Sequence, residues 1–299
     1  MKSSFTSARW NNFFANDYSP LEWTSVKISI SSIVCFFSIY ILYHRSTQPF
    51  PSGICNYINC AYVATDAIRL PVSVLLVLLS LMYISEVQMI FSTLLLFVLA
   101  VLIFSLDESN GNPAENGILA LVFLAQFSAY LQNRFNAQSN LSKNRMQFSA
   151  QFFAAAYTLS AISKLHVSGF AWFTDDAPKF ALEVMRVFNS VYVTNGLNEY
   201  SHKGLSVASF IIAHPLFTKL ILGGSLLLEL CAFSLMLNKK TAFVYSFLLL
   251  AFHAGIFYTL NIFFPTITLP LIVFFINPLY WLLSGAGYVY ATFVTPKVS

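Results

Sequence analysis

The chain has 299 residues, of which 57% are hydrophobic and 9% charged, whereas an ordinary soluble domain is about a quarter charged. So few charges exclude a water-soluble surface, and they point to an all-α, polytopic transmembrane helix bundle in contact with membrane lipid. The net charge of +4 suits a few basic loops held against anionic headgroups and gives no ground for a nucleic-acid partner.

The opening residues, MKSSFTSARWNNFFANDYSPLEW, lack the basic stretch and apolar core of a secretory signal. Residues 1–25 are therefore expected to form a cytoplasmic or interfacial segment, with the first spanning helix as its own insertion signal. A span needs about 20 apolar residues. On that criterion the chain offers eight, over Val26–Tyr43, Leu70–Ser85, Met89–Leu106, Gly117–Gln132, Phe148–Ser163, Leu216–Leu237, Thr241–Phe264 and Ile267–Leu283. The second, fourth and fifth are short and Pro270 and Pro278 interrupt the eighth, so seven is the alternative. Residues 26–299 read as a single transmembrane domain.

Loop charge orients these spans. Arg134, Lys143 and Arg145 join the fourth and fifth, and Lys239 and Lys240 join the sixth and seventh, which places both loops in the cytoplasm. Asp107, Glu108 and Glu115 lie in a loop without Lys or Arg, on the outside. Lys2, Arg9 and Lys27 keep the amino terminus inside, and both termini come out cytoplasmic. The expected location is a cell membrane.

The outer face then carries two polar segments. The first holds Cys55 and Cys60, which can bridge in an oxidising compartment or remain two unpaired thiols. The second, residues 165–215, is too polar to span. Trp172 and Phe173 are expected interfacial anchors, and Asp175 or Asp176 ahead of Pro178 marks the start of a helix lying on the membrane.

Ionisable side chains inside a bilayer are costly and need a partner or a role. Glu229 lies mid-helix in GGSLLLELCAF and His253 mid-helix in LLLAFHAGIFYTLNIFF, while Lys164 closes AAYTLSAISKLH. Tyr157 precedes Lys164 by two helical turns and shares its face. A desolvated lysine can act as a neutral base, but Lys164 can equally snorkel to the headgroups. Glu229 can be a paired carboxylate holding helices together, and His253 a core histidine with one hydrogen bond. HExxH, HxxxH and CxxC are absent, so no metal is expected.

YTLSAISKL, the Trp-containing segment after it, GGSLLLEL and FHAGIFYTLNIFF, in that order, resemble the transmembrane domain of vitamin K-dependent gamma-carboxylases and their microbial HTTM relatives. The distinctive part runs from Tyr157 to Asn261. The resemblance implies that Lys164 is the base that deprotonates a quinone-type cofactor in its hydroquinone form, with Glu229 and His253 at matching but unassigned positions. It also implies epoxidase- and lyase-type chemistry. The carboxylases carry a large extramembrane domain that grips their protein substrate, and no match to it is seen, so full protein carboxylation is not expected. The closer likeness is to stand-alone bacterial members such as the membrane component that matures a sporulation-delaying peptide toxin. Those act on an exported peptide with a partner maturation protein. Three functions remain in view: an enzyme or maturation factor using Lys164 with Tyr157, Glu229 and His253; a non-catalytic subunit presenting an exported peptide; and a small-solute or proton transporter working through Glu229 and His253.

Overall fold

A computed structural model describes residues 18–111, 117–136, 138–171, 179–182, 184–187 and 198–293. All regular elements among them are helical. They are α1 (Pro20–His44), α2 (Arg69–Ile84), α3 (Met89–Glu108), α4 (Gly117–Phe135), α5 (Leu141–Ser168), α6 (Asn198–Ala213), α7 (Pro215–Leu230), α8 (Lys239–Leu260), α9 (Pro265–Leu271) and α10 (Pro278–Phe293).

Among the described residues, four helices are long and apolar enough to cross a membrane: α1, α3, α8, and α7 with its continuation to Met236. Pro265–Ile276 and Pro278–Ala286, bent by 44°, make a fifth if the pair is one span. The eight expected spans are not all reproduced by this measure. The 16 residues of α2 reach only about 24 Å at 1.5 Å per residue, short of a hydrocarbon core about 30 Å thick. The fourth and fifth segments fall on α4 and α5, which carry Gln126, Asn133 and Arg134, and Lys143, Arg145 and Lys164. Trp172, Phe173, Asp175, Asp176 and Pro178 lie outside the described residues, while 179–182 and 184–187 are helical. Large apolar side chains such as Phe36, Leu70, Leu78, Leu220 and Leu227 are exposed. Along helices that are apolar all round, such side chains face lipid rather than water.

The chain divides into two compact units, the first made of Met1–Phe152 with Thr266–Ser299 and the second of Phe153–Pro265. In the first unit α1 packs on α2, α3 and α10, and α3 packs on α4. Ser19 and Glu22 form a capping box at the start of α1, with Pro20 at its first position, which satisfies N–H groups the helix cannot pair itself. Ser25, Ser31 and Ser38 on α1 are buried beside Val26, Ile30 and Val34, and small residues of this kind let membrane helices approach closely.

Pro278 cannot donate a hydrogen bond, so the helix coming from Pro265 stops and restarts there. Asn277 stands at the break in the left-handed region, φ 51°. Its Nδ2 donates to the Glu22 carbonyl at 3.0 Å, and its Oδ1 accepts from Ser25 Oγ at 2.8 Å. The break is thereby tied to α1 by a side chain 1% exposed.

Cys55 and Cys60 form a disulfide with Cα atoms 5.4 Å apart. Their loop lies against α3 so closely that a Cβ on Gly53, at φ +56°, would stand 2.8 Å from Ser105 Oγ. The position therefore suits only glycine, on both conformational and steric grounds.

In the second unit, Val207, Ala208 and Ile211 of α6 form a buried cluster with Ala181 and Val184, and Phe180 and Leu260 pack on it. Pro215 opens α7, and Thr218 Oγ1 donates to the His214 carbonyl at 3.2 Å. Asn238 caps α8 by accepting from Thr241 N–H at 2.9 Å.

Candidate functional site

The second unit carries the ionisable side chains singled out from sequence on three helices. Tyr157, Ser160 and Lys164 follow one another at intervals of three and four on α5 and so share a face. Glu229 stands near the end of α7 and His253 in the middle of α8.

Lys164 Nζ donates to both carboxylate oxygens of Glu229, each at 2.5 Å. The carboxylate is almost wholly buried, its side chain 4% exposed against 24% for Lys164. The Ser160 hydroxyl is a further partner of Glu229. An ammonium and a carboxylate in this setting compensate each other's lost hydration through a bidentate, charge-assisted contact. Two turns before Lys164 on α5, the phenol of Tyr157 and Nε2 of His253 meet at 2.7 Å. Both residues are buried, and Nδ1 of His253 has no hydrogen-bond partner. The imidazole is flanked by the Phe252 and Phe264 rings, at 5.4 and 5.6 Å between centroids.

A cavity of about 1230 Å³ opens beside the lysine. The wall is almost entirely apolar: Val207, Phe210 and Ile211 from α6, Leu220, Ile221 and Leu228 from α7, and Leu248, Phe252 and Ile256 from α8. Lys164 and Lys179 are its charged members, whereas Glu229, Tyr157 and His253 lie behind the wall. Gly224 and Gly255 also line it, and a Cβ added to either would meet nothing within 4 Å. These two wall positions are held open by glycine although no neighbour requires it.

Of the residues singled out from sequence, the fold brings together Lys164 with Glu229 and Tyr157 with His253, all within one unit. Cys55 and Cys60 belong to the other unit. Among the described residues no group of three His, Cys, Asp or Glu side chains is placed to share a metal ion. Sequence reasoning missed Ser160, although its place four residues before Lys164 is the signal that would have found it. It also missed Tyr245, whose phenol donates to the Leu228 carbonyl and ties α8 to α7 one residue before Glu229.

The first unit has its own charged cluster. Lys27 Nζ lies 2.8 Å from Glu86 Oε1 and donates at 2.8 Å to the Ile84 carbonyl at the end of α2, where a cation also suits the helix dipole. Arg145 Nη1 reaches the same Glu86 oxygen at 3.5 Å and donates to Tyr130 Oη at 3.2 Å, and its guanidinium lies 4.2 Å from the Trp23 ring centroid. The carboxyl of Glu86 is held below its usual range, first by the hydrogen bond from Lys27 and opposed by partial burial.

No protein-family model matches this chain, and no curated protein or solved structure does so either.

Proposed function

We propose that this protein is a membrane-embedded enzyme or maturation factor of the HTTM kind. In this reading Lys164 serves as base toward a lipid-soluble, quinone-like molecule or an exported peptide, working with a partner maturation protein. The observation that carries the reading is the position of Lys164: its ammonium lies at the wall of a large apolar cavity and is held by a buried carboxylate. This role requires Lys164 to act as the neutral amine, with the shared proton on Glu229. The amine can take a proton from a substrate hydroxyl, leaving an oxyanion beside the new ammonium. Tyr157 and His253 set the polarity behind the pair. The reading also carries the eight-span arrangement in a bacterial inner membrane, with both termini in the cytoplasm and Lys164 toward the outer face.

The test is turnover of a reduced naphthoquinone by the full chain in air-saturated lipid nanodiscs, with dioxygen as the oxidant, followed by chromatography of the oxidised products. Lys164→Ala is expected to abolish turnover in the monodisperse fraction recovered by size exclusion. Undiminished turnover in that variant would sink the proposal.

The bidentate geometry favours a second reading, in which Lys164 and Glu229 fasten α5 to α7 in a non-catalytic subunit that presents an exported peptide. Replacing the pair by Met and Leu separates the two. A structural pair tolerates this exchange in every assay, and a catalytic lysine does not.

A further inference from the structure

We infer that the first unit holds a binding site for an anionic phosphate group, of the kind carried by an acidic phospholipid headgroup, in a recess between the start of α3 and the end of α4. The recess measures about 250 Å³ and is lined by Gln88, Met89, Ile90, Tyr130, Asn133 and Arg134. That is below the roughly 300 Å³ at which pockets for drug-sized ligands begin, and it suits a headgroup rather than a whole lipid.

What sets the recess apart is that its lining offers donors and no acidic side chain. Among the described residues the Arg134 guanidinium makes no hydrogen bond or ion pair. The Asn133 side-chain oxygen accepts from Ser139 Oγ at 3.1 Å, which leaves its two amide hydrogens to give. Tyr130 Oη accepts from the Arg145 guanidinium at 3.2 Å, so its own proton is free to be donated. No side chain caps α3, whose preceding residue, Gln88, is left-handed at φ 50°. The first-turn N–H groups of this 20-residue helix therefore lack intrahelical partners and carry the positive end of its dipole.

A second observation points the same way. Arg145 Nε is a buried donor with no partner, in a residue 9% exposed, and the Arg145 guanidinium lies between Trp23 and Tyr130. Lys27 and Arg145 also outnumber Glu86, the one carboxylate they share. The recess is thus backed by surplus positive charge. Because α3 is a candidate span, its first turn falls at headgroup depth, where basic recesses between helices take up acidic lipids. Nothing in this inference depends on Lys164 or its cavity.

The experiment is thermal unfolding of the purified full chain in neutral detergent, titrated separately with dioleoylphosphatidylglycerol, dioleoylphosphatidylcholine and inorganic phosphate. Each variant is read against its own unliganded midpoint. Phosphatidylglycerol is expected to raise the midpoint where phosphatidylcholine does not, and Arg134→Gln and Tyr130→Phe should each weaken its apparent affinity by about tenfold. If inorganic phosphate gives the same Arg134-dependent rise, the site stands and its source is the free ion. A phosphatidylglycerol effect that survives undiminished in both variants, or no rise with either anion, overturns the inference.

Discussion

Tyr157 and His253, 96 positions apart in the chain, share a 2.7 Å hydrogen bond between buried side chains. Membrane surroundings offer neither group a replacement partner, and the second ring nitrogen of His253 already has none. Tyr157→Phe removes the hydroxyl with little change of shape. It is expected to lower stability by about 1 kcal/mol, the usual size of an interhelical hydrogen bond in a bilayer, and thermal unfolding in detergent measures this directly.

The Lys164–Glu229 pair should respond non-additively. Lys164→Ala or Glu229→Gln leaves one buried partner uncompensated, and each single change is expected to cost about 3 kcal/mol or more. Lys164→Met combined with Glu229→Leu removes both and should recover most of that loss. A double-mutant cycle on unfolding midpoints reads the coupling, and additive losses would mean that the two side chains do not meet.

Glu86 should give the first unit an acid-sensitive component. Its folded-state pKa lies below the ordinary value of 4.5, chiefly through the Lys27 hydrogen bond. Such a depressed group stabilises the fold fully above its unfolded pKa, and that contribution is lost as pH falls below about 4.5 through the folded value. The side chain is 53% exposed, so solvent screening keeps the effect small. Glu86→Gln is expected to flatten the acid limb of a midpoint-against-pH curve while leaving its shape above pH 6 unchanged.

Cys35 and Cys231 are free thiols, whereas Cys55 and Cys60 are bridged. Alkylation of the denatured, unreduced chain should therefore add two labels, rising to four after reduction, as intact mass will show.

Filling the large cavity provides a further check. A side chain at Gly224 or Gly255 starts from a Cβ that meets nothing within 4 Å, at the wall of the cavity, so the fold should accept leucine there and gain up to about 1 kcal/mol from the better helix former. A lipid-soluble molecule that binds in the cavity should be displaced. Mass spectrometry of lipids retained through purification is expected to show a smaller retained fraction in both variants.

The long apolar helices were legible in the sequence because hydropathy alone carries them. The segment Met89–Leu106 lies within α3, Met89–Glu108, and Thr241–Phe264 overlaps α8, Lys239–Leu260. Their ends were less so, since Ser19 and Asn238 act through capping bonds, and Pro20 through its fixed backbone angle at the first helical position, that hydropathy does not register. That Tyr157 shares a face with Lys164 follows from helical spacing. That Glu229 meets the lysine and His253 the tyrosine depends on which helices become neighbours, which no single helix encodes. Lys27 and Arg145 entered the sequence reading only as indicators of orientation. Their meeting on Glu86 turns on a short loop where Glu86 and Gln88 are both left-handed, and neither is a residue type that announces such a turn.

The Asn277 link has a consequence for how the protein is made. Its partner Glu22 lies 255 positions earlier in the chain, and the whole second unit is encoded between them. On the ribosome, α1 therefore leaves the insertion machinery long before the segment that accepts from its buried Ser25 exists. The first unit can only be completed after the second has been threaded into the bilayer. A chain stalled before residue 277 would expose the polar face of α1 to lipid, a state that membrane quality-control proteases are well placed to recognise.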